Sequence, residues 1–274
     1  MKKHLMAYPY ALWMLIFTII PLALILVYSV ITIDDAGIHF TLDHFRRVFE
    51  PIYLAVFWRS IKIATISTII CLILGYPMAM ILASKNLSKK SILVVLFVIP
   101  MWMNFLARTY AWMTLLERNG LIATIIGYFG IQLPSLLYTE NTVILGMVYN
   151  FLPFMVLPVY SVLVKIDKAV LEAAEDLGAT PFIVFRRVIF PLSLPGVSSG
   201  IIMVFMPALT TFVISRLLGG AHFTLIGNLI EQQFLTTMDW GFGSALSVVL
   251  MLIIILSMGF AMRYEKENQG GGLW

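Results

Sequence analysis

The chain has 274 residues, 61% of them hydrophobic and 12% charged, with a mean hydropathy of +0.96 and a formal net charge of +4. No soluble domain of this length covers so much apolar side chain with so few surface charges, so the composition describes a membrane protein. The one cysteine, Cys71, excludes an intrachain disulfide and a thiolate metal site, and His4, His39, His44 and His222 show no ligand spacing. No Gly-x4-Gly-Lys-Ser/Thr is present to cradle a nucleotide. Basic residues flanking membrane spans account for the positive charge, so no nucleic-acid partner is implied.

In chain order, apolar runs at about 8–31, 61–83, 92–113, 143–164, 194–215 and 243–262 predict six membrane-spanning helices. Each is long enough to cross a bilayer at about 1.5 Å per residue. Lys2 and Lys3 precede the first, but that run is too long for a signal peptide and lacks a small-x-small cleavage site, so an uncleaved helix is expected. Internal repeats are not apparent. The expected fold is therefore all-α and polytopic, a single transmembrane domain over 1–274.

Orientation follows from the basic residues. With the N-terminus inside, Lys2, Lys3, Lys85, Lys89, Lys90, Lys165, Lys168, Arg186, Arg187, Arg263 and Lys266 fall on the cytoplasmic side, a majority of the 18 in the chain. Both termini are then cytoplasmic. Three external segments are too short to span. Thr41 to Glu50 reads as a capped interfacial helix with Phe45, Val48 and Phe49 on one side, stopped by Pro51. Gly120 to Ile131 reads as a half-buried hairpin, and a third segment runs from Leu217 to Trp240.

Polar and helix-breaking residues inside the spans are the candidates for a solute path. Pro100 and Asn104 interrupt the third span, Asn150 and Pro153 the fourth, and Pro207 with Thr210 and Thr211 the fifth. Each proline frees a backbone carbonyl that must find a partner away from lipid. Such residues either line a path or serve ordinary helix packing, and the residues alone leave both open. Trp102, Tyr110 and Trp112 form an aromatic belt or a stacking surface for a cation. Arg108 and Arg216 sit near external span ends, from which they can snorkel to the headgroups.

The best-punctuated stretch is 165–195. Asp167 is a good N-cap, Gly178 sits at the left-handed C′ position, and Thr180 with Pro181 opens a second helix expected to end near Phe190, because Pro191 cannot donate to the ladder. On the first helix Val170, Ala173, Ala174 and Leu177 form one apolar stripe, with Glu172, Glu175 and Asp176 off it. The alanines keep that helix thin, so another surface can approach its backbone.

Glu172-Ala173-Ala174, three residues, Gly178, nine residues, Val188-Ile189-Phe190-Pro191 resembles the Glu-Ala-Ala loop of the permease subunits of ABC importers. The family pattern ends in Ile-x-Leu-Pro; here Val188 and Phe190 replace Ile and Leu. The resemblance implies a type I importer permease fold in a bacterial cytoplasmic membrane, surrounded by membrane lipid. It implies that 165–192 is a coupling loop, with Glu172, Ala173, Ala174, Gly178 and Pro191 docking on a separate ATPase. Trp102, Asn104, Tyr110, Asn150, Pro207, Thr210 and Thr211 are the candidate path residues.

Further stretches are similar to the spermidine/putrescine branch of that family. They include Phe40-Thr41-Leu42-Asp43, Leu74-Gly75-Tyr76-Pro77, Pro100 with Asn104, Arg108 and Tyr110, Leu152 to Val156, Leu218-Gly219-Gly220 and Leu225 to Asn228. Such a system implies a homodimeric ATPase that binds ATP and Mg, a second permease, and an extracytoplasmic binding protein. This chain itself then needs no cofactor and is not an enzyme. The external carboxylates Asp34, Asp35, Asp43, Glu50, Glu117, Glu140, Glu231 and Asp239, with Phe234 and Trp240 near them, suit a polyamine. Importers of iron, thiamine or phosphonate share the outline. A stand-alone secondary transporter is disfavoured by the missing inverted repeat and the lack of a proton-relay carboxylate in any span.

Overall fold

The computed structural model describes residues 8–34, 37–84, 90–129, 136–220 and 223–270. Lys2, Lys3, His4, Asp35, the basic turn at 85–89, the end of the 120–131 segment and His222 lie outside the described residues.

Among the described residues, five helices are long and apolar enough to cross a membrane: Leu12–Val30, Pro51–Ala83, Glu140–Leu163, Pro181–Thr210 and Trp240–Gly259. The run expected at 92–113 is instead two helices, α5 (Lys90–Trp102) and α6 (Phe105–Leu116). The interruption comes at Asn104, not Pro100, which stays inside α5. Asn104 has extended backbone, and its amide oxygen accepts from Leu106 N and Ala107 N at 2.9 and 3.2 Å, so it caps the second helix and ends the first.

Contacts divide the chain into two compact units, 1–58 with 226–256, and 59–225 with 257–274. In the first, helical residues α1 (Tyr8–Met14), a π-turn (Leu15–Ile19) and α2 (Ile20–Val30) lead into a hairpin of β1 (Ile31–Asp34) and β2 (Gly37–Phe40). Ile31 pairs with Phe40 and Asp34 with Gly37, antiparallel. An all-α reading of the chain misses this hairpin. The consecutive β-branched residues Ile31, Thr32 and Ile33 end the apolar helix and favour extended backbone, and Gly37, at φ +123°, opens the second strand opposite Asp34. The short helix α3 (Asp43–Val48) follows as expected at 41–50, with Val48 buried but Phe49 exposed.

Pro51 stops that helix and also opens α4 (Pro51–Ala83), 33 residues long, so the second span begins ten residues earlier than its hydropathy suggests. α13 (Ile226–Leu235) and the start of α14 (Trp240–Gly270) complete the first unit. Asp239 holds it together twice over. One carboxylate oxygen accepts from Phe242 N at 3.1 Å, and the other from Arg47 Nη1 at 2.7 Å. The Arg47 guanidinium also lies 4.0 Å over the Phe242 ring. Burial lowers the pKa of Arg47, but its hydrogen bonds to Asp239 and Tyr53 outweigh that and hold it above the ordinary value.

After a short helix α7 (Leu121–Gly127), found where a half-buried hairpin is expected, the second unit is built on α8 (Glu140–Leu163) against α11 (Phe190–Thr210), with α12 (Val213–Gly219) across α8. Helix crossings are close because glycines meet backbone or methionine. A Cβ on Gly196 would lie 2.9 Å from Pro158 O, and one on Gly200 would lie 2.7 Å from Met155 Sδ. The fifth run, expected at 194–215, breaks after Thr210, where Thr211 is extended; it begins much earlier, at Pro181.

Candidate coupling loop and membrane path

The hairpin at 165–192 has the local structure its sequence dictates. Asp167 accepts from Ala169 N at 3.0 Å and caps α9 (Lys168–Asp176). Gly178 adopts φ +80°, its N–H donates to Glu175 O at 2.8 Å, and Ala179 N–H reaches back to Ala174 O at 3.1 Å. These two bonds are a Schellman motif. Nothing lies within 4 Å of a Cβ built on Gly178, so the left-handed backbone alone demands glycine there. Pro181 then opens α10 (Pro181–Val184).

The expected stop near Phe190 does not occur. The helix passes through a π-turn, Phe185–Ile189, and continues as α11 through Pro191. In that turn Phe190 N–H bonds to Phe185 O, five residues back. The widened turn gives the proline ring room and absorbs the donor it lacks, so Pro191 sits at the junction of hairpin and membrane helix without breaking it.

Glu172 and Ala173 are exposed, and Ala174 is half-buried. The stripe to which the two alanines belong is uncovered at its ends: Leu177 is 89% exposed and Val170 45%, with Phe182 beyond the turn at 69%. The helix thus presents a largely bare apolar stripe edged by carboxylates.

The candidate path residues are not gathered into one site. Trp102 is 82% exposed at the end of α5, Tyr110 is exposed on α6, and Asn104 spends its side-chain oxygen on capping. Thr210 bonds back to Met206 O at 3.1 Å and is exposed, while Pro207 and Thr211 are half-buried. Asn150 differs from the rest. It is almost fully buried, its Nδ2 donates to Gly146 O at 2.9 Å, and its Oδ1 is buried without a partner. Beside it Tyr149 packs on Trp112, ring centroids 5.3 Å apart.

Arg108 does not snorkel. It is 8% exposed, and its Nε is buried without a partner. Because the third span is broken, α6 packs against α8 and α12, and Arg108 is buried on it. Arg216 is exposed. An apolar cavity of about 300 Å³, with Thr68 and Leu72 on one wall and Phe205 and Met206 on another, includes none of the expected path residues. Among the described residues, no group of three His, Cys, Asp or Glu is placed to hold a metal.

Long apolar helices, closely packed through glycines and joined by a charged, partly uncovered hairpin, describe a membrane-embedded protein. Residues 72–267 match the binding-protein-dependent transport system inner membrane component, and the chain belongs to this family of ABC permeases. The spermidine/putrescine transport system permease protein PotB of Haemophilus influenzae is 40% identical over 259 residues, covering 93% of this chain and 91% of that protein. PotB of Escherichia coli is 40% identical over 251 residues, 90% of this chain and 91% of the relative. The inner membrane ABC transporter permease protein YdcU of Escherichia coli is 31% identical, covering 81% and 75%.

Among solved structures, a bacterial ABC transporter involved in the import of alginate superposes with a TM-score of 0.80 at 16% identity, covering 95% of each chain. The MetNI methionine ABC transporter gives 0.58 at 18%, covering 78% of this chain and 95% of that one. These two establish the fold, that of a type I ABC importer permease. The protein is thus a multi-pass inner-membrane component of a bacterial, binding-protein-dependent transport system and not an enzyme.

Proposed function

We propose that this chain is the permease subunit through which a polyamine of the spermidine/putrescine kind enters the cell, driven by ATP hydrolysis on a separate, homodimeric ATPase. ATP and Mg belong to that ATPase, and a second, related permease and an extracytoplasmic binding protein complete the assembly. The observation that carries the substrate class is the 40% identity to PotB permeases along nine-tenths of both chains.

Docking is assigned to the hairpin at 165–192, with both termini on the same, cytoplasmic side. Its uncovered Val170–Leu177 stripe would lie in a groove of the ATPase. Glu172 at the edge would supply a charge-assisted contact, and Gly178 the turn that presents the helix. The solute path is assigned to the faces carrying Trp102, Asn104, Tyr110, Asn150, Pro207, Thr210 and Thr211. Asn150, with its unpaired Oδ1, is the member best placed to take a donor such as an ammonium. Polyamine charges cannot enter hydrocarbon unless paired or wet, and aromatic walls suit the methylene stretches between them.

The test is uptake of labelled spermidine and putrescine in a bacterial strain stripped of its own polyamine import, with the whole system supplied. Uptake that depends on this chain and on a hydrolysis-competent ATPase supports the reading. Uptake of ferric iron or thiamine, with polyamines ignored, would replace the substrate and leave the permease assignment standing.

A further inference from the structure

Two membrane helices are tied together at the point where the hairpin becomes α11. Tyr76 Oη lies 2.8 Å from Ser193 Oγ, and Ser193 Oγ lies 2.8 Å from Phe190 O. A carbonyl only accepts, so the one serine proton goes to Phe190 and the tyrosine must donate to the serine. The chain runs Tyr76 O–H to Ser193 O–H to Phe190 C=O. Its last carbonyl belongs to the peptide bond of Pro191, at the end of the π-turn. Tyr76 is 8% exposed and Ser193 fully buried, so water does not compete for these bonds.

The ring of Tyr76 completes the arrangement. It lies 5.9 Å from the Phe185 ring, edge-on, and 6.0 Å from the Phe190 ring, and those two are 6.2 Å apart. Phe185 and Phe190 bracket the π-turn, so one side chain of α4 touches both ends of it. The neighbouring Gly75 is pressed onto α8, where a Cβ would lie 3.0 Å from Met155 Cγ, so α4 cannot slide freely at this level. A phenylalanine would fill the same space; the hydroxyl adds direction, which apolar contact does not supply.

We propose that Tyr76 is a positioning residue for energy coupling. Through Ser193 it fixes the Phe190–Pro191 junction, so that a displacement of the docked hairpin moves α4 and α11 together instead of being absorbed by the π-turn. This rests on the reading of 165–192 as the ATPase-docking loop.

The test uses the complete complex in proteoliposomes, with both permeases, the ATPase and polyamine-loaded binding protein. Substrate moved per ATP hydrolysed is measured for wild type, Tyr76→Phe, Ser193→Ala and the double variant. Each single variant is expected to lower that ratio about five-fold, the size of one ordinary hydrogen bond, with ATPase co-purification and basal hydrolysis unchanged. The double variant should match the singles, because a chain cut at one link is not cut further at the next. A normal ratio in Tyr76→Phe, or additive losses, would overturn the proposal. So would a loss of assembled complex in step with the ratio, which would make the pair a stability contact only. Glu172→Ala serves as the separate check. If it leaves the ATPase bound and coupled, the docking reading is the one that falls. If it disrupts docking while Tyr76→Phe couples normally, the joint alone is wrong.

Discussion

The helix Glu140–Leu163 and the hairpin that follows it are adjacent in sequence and opposite in construction. The helix is mostly covered: Val143, Met147, Met155, Val156 and Val159 are fully buried, and glycines from neighbouring helices close on Met155 and Val159. Asn150 Nδ2 bonds within the helix, to Gly146 O, and leaves only its Oδ1 buried and unmatched. The hairpin is held by its own caps and turn and leaves Val170, Leu177 and Phe182 bare. One region is covered within this chain; the other leaves its apolar side chains uncovered. Changes in the first should therefore act on folding, and changes in the second on assembly and transport.

Several substitutions sharpen that contrast. The largest effect is expected from Gly146→Leu, because even a Cβ there meets the Leu218 and Ile214 side chains. Size-exclusion chromatography in detergent should show the monodisperse protein reduced by about ten-fold; normal recovery would mean the α8–α12 contact is not close in the membrane. Next come Glu172→Ala and Gly178→Val. Both should insert normally while uptake falls about ten-fold, a loss on the scale of one charged contact. Uptake near wild type in both would remove the hairpin from energy coupling.

Smaller effects belong to the ion pairs. Asp239→Ala loses both the helix cap on Phe242 N and the Arg47 bridge, so it should lower thermal stability more than Arg47→Gln, the cap being worth about 1 kcal/mol. Equal shifts would show that the cap adds nothing. The smallest is Lys62→Gln, which opens a 2.7 Å pair with Glu140 whose side chains are 49% and 36% exposed. About 0–1 kcal/mol is expected, with a melting curve close to wild type.

Much of this was legible in the sequence where the signal is local. Asp167, Gly178 and Pro181 announce a cap, a left-handed turn and a restart, and each is found in that role. Hydropathy located the long helices but not their ends: Pro51 both stops one helix and starts the next, and the run at 92–113 is broken by a side-chain cap at Asn104. Pro191 misled because a proline's missing donor normally ends a helix, and the π-turn that absorbs it is set by register, not composition. Arg108 misled because its burial depends on which helices cover α6, a tertiary fact. The Tyr76–Ser193 bond joins residues 117 apart in sequence, and no periodicity could reveal it.

On the proposed function, this chain moves polyamine at the expense of ATP hydrolysed elsewhere. The most direct measurement is the ATPase rate of the reconstituted complex with binding protein loaded in turn with spermidine, putrescine, ferric iron and thiamine. Stimulation by one or both polyamines is expected, absent with the other two and lost in Glu172→Ala. Stimulation by iron or thiamine, with silence from both polyamines, would contradict it.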